Sequence, residues 1–244
     1  MTKAEAIVLT KMPLGEADAI VTCFTKERGK IEFRARGVRK SRAKHAGALR
    51  ELNRLDVYYV EAKGGPLVTD TALHESFSSI KSSEKKLDAA RAVSMTLAGA
   101  FPKDFPDMVL WWQLNDYLSV LERQEGEHDA LYAAPAYFLL SMLKMHGTAP
   151  ELSHCVVCGR EVGDLDEYVF SLENGGIIEK GCIRSEEHII DISPLARGLL
   201  RTWRTLSLAE VMEQELSKET RDEVVELVEC FSRWHLGERA VARV

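Results

Sequence analysis

At 244 residues, 45% hydrophobic and 29% charged, the chain has the composition of an ordinary globular protein, long enough for one large domain or two smaller ones. No N-terminal segment has the apolar core of a signal peptide. The longest apolar run, YAAPAYFLLSML at 132–143, contains Pro135 and is too short to cross a bilayer, so a cytoplasmic protein with no membrane partner is expected.

The net charge of −6 conceals an asymmetry. Residues 1–80 carry fourteen Lys and Arg against ten Asp and Glu, whereas the rest of the chain is strongly acidic. Within 26–50 the count is ten against two. A one-signed cluster of that density on an acidic protein is the footprint of a polyanion partner rather than a solvated face.

The first eighty residues read as strands. AEAIVLT (4–10), AIVTCFTK (19–26), GKIEFRARGV (29–38), RLDVYYVEA (54–62) and PLVTDTALHESF (66–77) are β-rich and separated by Gly, Pro and charged turns. In the third, Ile31, Phe33 and Ala35 alternate with Glu32, Arg34 and Arg36, the period of a half-buried strand with arginines on its open face. Five short strands in this length predict a small closed barrel of the OB type. If the fourth strand is regular, Tyr58 or Tyr59 faces outward, where it serves as a stacking platform or as a contact for helices.

From residue 83 the period becomes helical. Helices are expected over 83–101, 107–122 and 128–147, the last stopping at Gly147. Residues 150–190 read as irregular. Ser193-Pro194 then marks a helix start, Ser207 and Glu210 have the spacing of a capping box, and a last helix runs from about Lys218 to His235. The chain is thus α+β and multi-domain. A five-stranded OB-fold barrel occupies 1–80, and 81–244 form an α-helical domain whose irregular segment at 150–190 contains a C-x-x-C pair.

Motifs for catalysis are missing. There is no phosphate-cradling G-x-x-x-x-G-K-[ST] or G-x-G-x-x-G, and no G-x-S-x-G. His74-Glu75 opens like a zinc-protease motif, but Ser78 stands where the second histidine belongs. The chain reads as a non-enzyme. Cys23 in a strand and Cys230 on an apolar helical stripe read as small buried hydrophobes.

The basic cluster carries the functional signal. Arg34, Arg36, Arg39, Lys40, Arg42 and Lys44, flanked by Lys30 and Arg50, cover a strand face and the loop leaving it. Phosphate neutralisation by such a surface releases counterions and needs no base-specific geometry. Arginine adds bidentate phosphate contact and stacking. The acidic stretch Glu210, Glu213, Glu215, Glu219, Asp222, Glu223, Glu226 and Glu229 reads as a soluble helix surface or, less simply, a docking face for a basic protein.

GEADAIVTCFTKERGKIEFRARGVRKSR followed by GALRELNRLDVYYVEAKGGPLVTDTALHES resembles the N-terminal domain of the bacterial recombination mediator family RecO. The carrying motifs are G-E-x-D-x-I-V-T-x-F-T-x-E-x-G-K (15–30), A-R-G-V-R-K-S-R (35–42) and G-x-L-x-x-L-N (47–53). The C-terminal half matches through its helical pattern, CVVCG (155–159) and GGI-x-x-x-G-C (175–182). The resemblance implies an OB-fold followed by a helical domain, with a zinc finger in some members. It also implies binding of single- and double-stranded DNA, annealing of complementary strands, and action in the RecF pathway of DNA repair. There RecR, and also RecF, help to load RecA onto DNA coated by single-strand-binding protein, in the cytoplasm at the nucleoid.

Zinc-bearing members use two C-x-x-C pairs. Here Cys155 and Cys158 form the first, whereas Cys182 is followed by Ser185 in the fourth place, so the resemblance implies a degenerate zinc-finger-like insertion at 150–190. His188 is the better substitute and His154 the poorer one, since His154 adjoins Cys155. Three thiolates leave a position open, which argues against a tightly held zinc. Two rival functions remain in view: an OB-fold RNA-binding factor, and a metal-dependent nucleic-acid hydrolase using Asp56, Asp70 and Glu61. A third is a protein-interaction adaptor acting through the acidic helices.

Overall fold

The structure, a computed structural model, describes residues 1–40, 43–126, 129–163, 166–184 and 188–237. Two compact units divide the chain, Met1–Glu125 and Gly126–Val244.

The first unit is built on five strands, β1 (Thr2–Leu14), β2 (Asp18–Thr25), β3 (Gly29–Ala35), β4 (Arg54–Ala62) and β5 (Gly65–Glu75). They close in the order β1-β2-β3-β5-β4, with β4 back on β1. All pairs are antiparallel except β3 with β5, which meet in parallel at Arg34 and Leu67. This is the Greek-key barrel of the OB-fold. Side-chain alternation fills the interior: Ala4, Ala6 and Val8 from β1, Ala19, Val21 and Cys23 from β2, Ile31, Phe33 and Ala35 from β3, and Leu55, Val57 and Tyr59 from β4. The small residues of β1 leave room for the rings of Phe33 and Tyr59, which meet edge-on at 5.1 Å. Val38 and Leu49 from the long β3–β4 loop join the same core and hold the loop to the barrel.

The barrel's outer side is covered in part. Helix α2 (Glu84–Ala100) packs on β1 and β2, so Ile7, Leu9 and Phe24 are buried there. Short α1 (Ser78–Ser82) precedes it, and α3 (Met108–Arg123) follows. Phe77 begins α1 without a side-chain cap, and the Glu122 carboxylate of α3 accepts the Ser79 and Ile80 amides at 3.0 Å each instead. Ser83 and Asp107 cap α2 and α3 through the amides of Lys86 and Leu110.

In the second unit a 3-10 turn at Asp129–Ala133 leads into α4 (Ala134–Met145). The single helix expected over 128–147 starts late because Pro135 fits the first turn of an α-helix and not its interior. Residues 150–190, expected to be irregular, contain a three-stranded sheet: β6 (Tyr168–Ser171), β7 (Gly176–Glu179) and β8 (Ile189–Ile190), in the order β7-β6-β8. Helices α5 (Pro194–Trp203), α6 (Leu208–Met212) and α7 (Lys218–Leu236) complete the unit. Its core pairs Phe170 of β6 edge-on with Phe231 of α7 at 5.4 Å. Ser193 caps α5, and the Ser207–Glu210 capping box opens α6.

Candidate nucleic-acid interface and cysteine cluster

The start of the basic loop is fixed to the β1–β2 turn. Gly37 donates its amide to Asp18 Oδ1 at 2.8 Å. Arg39 donates its amide to the Ala17 carbonyl at 2.9 Å, and its guanidinium to the Gly15 carbonyl at 2.6 Å, so it is latched to the β1–β2 turn. Arg34 points the other way, with Nη1 3.4 Å from the Lys63 carbonyl in the β4–β5 turn. Arg36 and Lys40 are both exposed. Lys44 is exposed as well but pairs with Asp70 of β5 at 3.1 Å. Arg42 lies outside the described residues. The β1–β2 and β4–β5 turns flank the face on which OB-folds bind oligonucleotides.

Two of the expected cations sit elsewhere. Lys30 faces α2, is only 7% exposed, and gives its ammonium to the Ala98 carbonyl at 2.6 Å. Burial lowers its pKa from the ordinary lysine range, and the side chain contributes nothing to the exposed patch. Its strand alternation is regular; the outer face at that end is covered by a helix rather than by solvent. Arg50 is exposed, but beside Lys11, Lys81 and Arg91 rather than beside Arg36 and Arg39. Of the two tyrosines, Tyr59 is buried and accepts from Arg28 Nη1 at 3.0 Å, while Tyr58 is the half-buried, outward one.

The three carboxylates considered for hydrolysis do not converge. Asp56 pairs with Lys3 at 2.9 Å, Glu61 with Arg28 at 3.0 Å, and Asp70 with Lys44. Each is neutralised by its own cation. Much of the acidic stretch is likewise engaged within its unit: Glu223 accepts from the amide and hydroxyl of Ser193, and Glu210 closes its capping box. Asp222 pairs with Arg221 at 2.8 Å.

Cys155, Cys158 and Cys182 converge, with their sulfurs all within 4.8 Å of one another. Thiolates around a tetrahedral zinc at Zn–S of about 2.3 Å stand roughly 3.8 Å apart, so the set fits three corners of such a site. Burial opposes the Cys155 thiolate, but the backbone amides of Cys158, Glu179 and Val157 outweigh it and bring its pKa to about 7. Hydrogen bonding to Cys158, together with burial, raises that of Cys182 to about 11. A bound zinc ion would draw these protons off and tie the two loops together. Neither histidine joins the set. The His188 ring lies tilted against that of Trp234 of α7, centroids 4.4 Å apart, and His154 lies against Glu151 at 3.7 Å. Ser185 lies outside the described residues.

Two family profiles cover the sequence: the recombination protein O N-terminal domain over residues 1–77, and the recombination protein O C-terminal domain over residues 86–243. The chain belongs to the RecO family. Among curated relatives, a protein of Myxococcus xanthus named DNA repair protein RecO is 31% identical over 238 residues, covering 96% of this chain and 92% of the relative. One of the same name from Anaeromyxobacter sp. is 30% identical over 247 residues, covering 99% and 94%. A third, from Desulfatibacillum aliphaticivorans, is 28% identical over 240 residues, covering 95% and 91%. Among the described residues no helix is long and apolar enough to cross a membrane.

Sequence alone does not reveal the second group of cations in this RecO-family chain, the one around Arg50. Lys11, Lys81 and Arg91 are scattered over eighty positions with no motif among them. Only the closure of the barrel and the docking of α1 and α2 bring them together.

Proposed function

We propose that this chain is a DNA-binding mediator of recombinational repair. The observation that carries the reading is the contact of Arg39 with the β1–β2 turn and of Arg34 with the β4–β5 turn, the two turns that border the oligonucleotide-binding face of OB-folds, with Arg36 and Lys40 exposed beside them in the chain. Family membership supports the role in DNA repair. In this reading the guanidinium groups and Lys40 contact backbone phosphates of single- and double-stranded DNA without reading bases. Arg42 belongs to the same run of charge. Latching of Arg39 to Gly15 presents its neighbours in a fixed geometry and reduces the ordering cost of binding. The finer reading is that the protein anneals complementary strands and, with RecR and in the RecF pathway, helps load RecA onto DNA coated by single-strand-binding protein. It acts in the cytoplasm at the nucleoid and performs no catalysis of its own.

The test is the salt dependence of single-strand binding. With Arg36 and Lys40 both changed to Gln, the slope of log affinity against log salt should become shallower by roughly 1.4, at about 0.7 for each phosphate that is no longer neutralised. An unchanged slope moves the interface elsewhere. Matched DNA and RNA oligonucleotides in the same titration separate DNA from RNA preference. Annealing of oligonucleotides precoated with single-strand-binding protein, with and without RecR, tests the mediator role.

A further inference from the structure

A second group of cations lies apart from the loop face. Lys11 of β1, Arg50 and Glu51 of the β3–β4 loop, Lys81 of α1, and Leu87 and Arg91 of α2 line an open cleft of about 430 Å³. That is within the range of small-ligand sites, roughly 300–1,000 Å³. Four cations face one carboxylate. Glu51 is itself engaged by Arg91 at 3.6 Å. Glu122, which acts on Lys81 more strongly than Glu51 does, has both oxygens on the amides that open α1. Among the described residues neither Lys11 nor Arg50 has an ion-pair partner.

The arrangement is held in place. Asn53 gives its amide hydrogens to the Gly47 and Ala48 carbonyls at 3.0 and 2.9 Å, which turns Oδ1 toward the Lys81 ammonium. Lys11 and Lys81 are both only partly exposed. Burial, and after it the charge of Arg50, lowers the pKa of each from the ordinary lysine range. Like charges gathered in a half-buried cleft repel one another and lose hydration. An anion seated among them relieves both effects.

We propose that the cleft lined by Lys11, Arg50, Lys81 and Arg91 is a second phosphate site, and that it takes a backbone phosphodiester of nucleic acid. The phosphodiester is favoured over a free anion because the cleft is open, with Arg50 and Arg91 exposed at its rim and Leu87 supplying an apolar wall for a sugar. The inference rests on the DNA-binding reading given above.

The experiment uses the full chain in four forms: wild type, Arg50→Gln/Arg91→Gln, Arg50→Lys/Arg91→Lys, and the loop-face variant Arg36→Gln/Lys40→Gln. Single-strand affinity is measured against salt for each. In the cleft Gln variant the slope should become shallower by roughly 0.7–1.4, and affinity should fall several-fold near 0.1 M salt, while the Lys variant keeps the wild-type slope. Unchanged thermal unfolding of the Gln variant excludes a folding defect. If wild type binds no DNA, the functional reading itself fails. If wild type binds DNA and the loop-face variant weakens it while the cleft Gln variant does not, the cleft inference alone is overturned. Two added arms settle the ligand. Inorganic phosphate, or a Glu-rich peptide, that binds wild type but not the cleft Gln variant, with the DNA slope unaltered, overturns the phosphodiester assignment.

Discussion

Arg197 of α5 donates through Nε to the carbonyl oxygen of Leu152 at 2.8 Å, although the residue is only 1% exposed. Its other nitrogens reach the carbonyls of Gly163, at 3.1 Å, and Val162, and the guanidinium lies over the Tyr168 ring at 4.8 Å. One planar fork thus fastens the cysteine-bearing segment to the helical core. Arg197→Met should destabilise the protein by about 2–4 kcal/mol, because buried carbonyls are left without donors. Arg197→Lys should also lose at least about 1 kcal/mol, since an ammonium cannot reproduce the fork. Urea unfolding followed by tryptophan fluorescence measures both. A Lys variant as stable as wild type would show that charge, not fork geometry, is what matters.

Gly29 is required by two separate constraints. Its φ is +67°, and a Cβ there would lie 1.9 Å from the Phe105 carbonyl oxygen. Gly15 has a similar φ of +63° but open space around it. Gly15→Ala should therefore cost only the left-handed strain, about 1–2 kcal/mol. Gly29→Ala must in addition displace backbone and should cost at least about 3 kcal/mol. Comparable unfolding midpoints for the two variants would rule out the steric part of this account.

The barrel was legible because its signal is local. Ile31, Phe33 and Ala35 alternate with polar residues in sequence and do point into the core. Caps were legible for the same reason: the Ser207–Glu210 box and the Ser193-Pro194 start both form as the spacing predicts. Lys30 was not legible as a buried lysine, because alternation tells which residues share a face but not which stretch of that face a helix will cover. The small sheet of β6, β7 and β8 escaped notice because strands of two to four residues carry too few alternations to register. His188 has the right spacing for a fourth ligand, but its ring is drawn to Trp234, which lies more than forty positions away in sequence. The Arg50 cleft depends wholly on tertiary closure.

Asp56, inside β4, should shape acid stability. Burial opposes its charge, but hydrogen bonds from Lys3 and His74, at 2.9 and 3.1 Å, hold the carboxyl below the usual aspartate range. A carboxyl whose pKa is depressed by folding contributes stability above its unfolded value, about 3.9, and loses it as pH falls through the lower folded value. Asp56→Asn should thus melt below wild type at pH 5, and the gap should narrow as pH is taken below about 4. A gap that stays constant down to pH 2 would mean that ionisation of Asp56 is not coupled to folding.

The cysteine cluster sets the last expectation. Three sulfurs within 4.8 Å fit zinc, but among the described residues no histidine or carboxylate joins them. An ion held at three corners exchanges readily, so zinc supplied to the reduced protein should bind at about one per chain and be stripped by a chelator. Cys158→Ala or Cys182→Ser should abolish binding at micromolar zinc. Because protons compete for the thiolates, and Cys155 titrates near 7 while Cys182 titrates near 11, zinc affinity should rise steadily from pH 6 to pH 8. Stripping should speed hydrogen exchange over 150–190 and leave the barrel, and the salt slope of DNA binding, unchanged. Elemental analysis after dialysis against a chelator decides between the two coordination states. Zinc that survives at one per chain would mean that a fourth ligand completes the site, and the variant that then releases it would name that ligand.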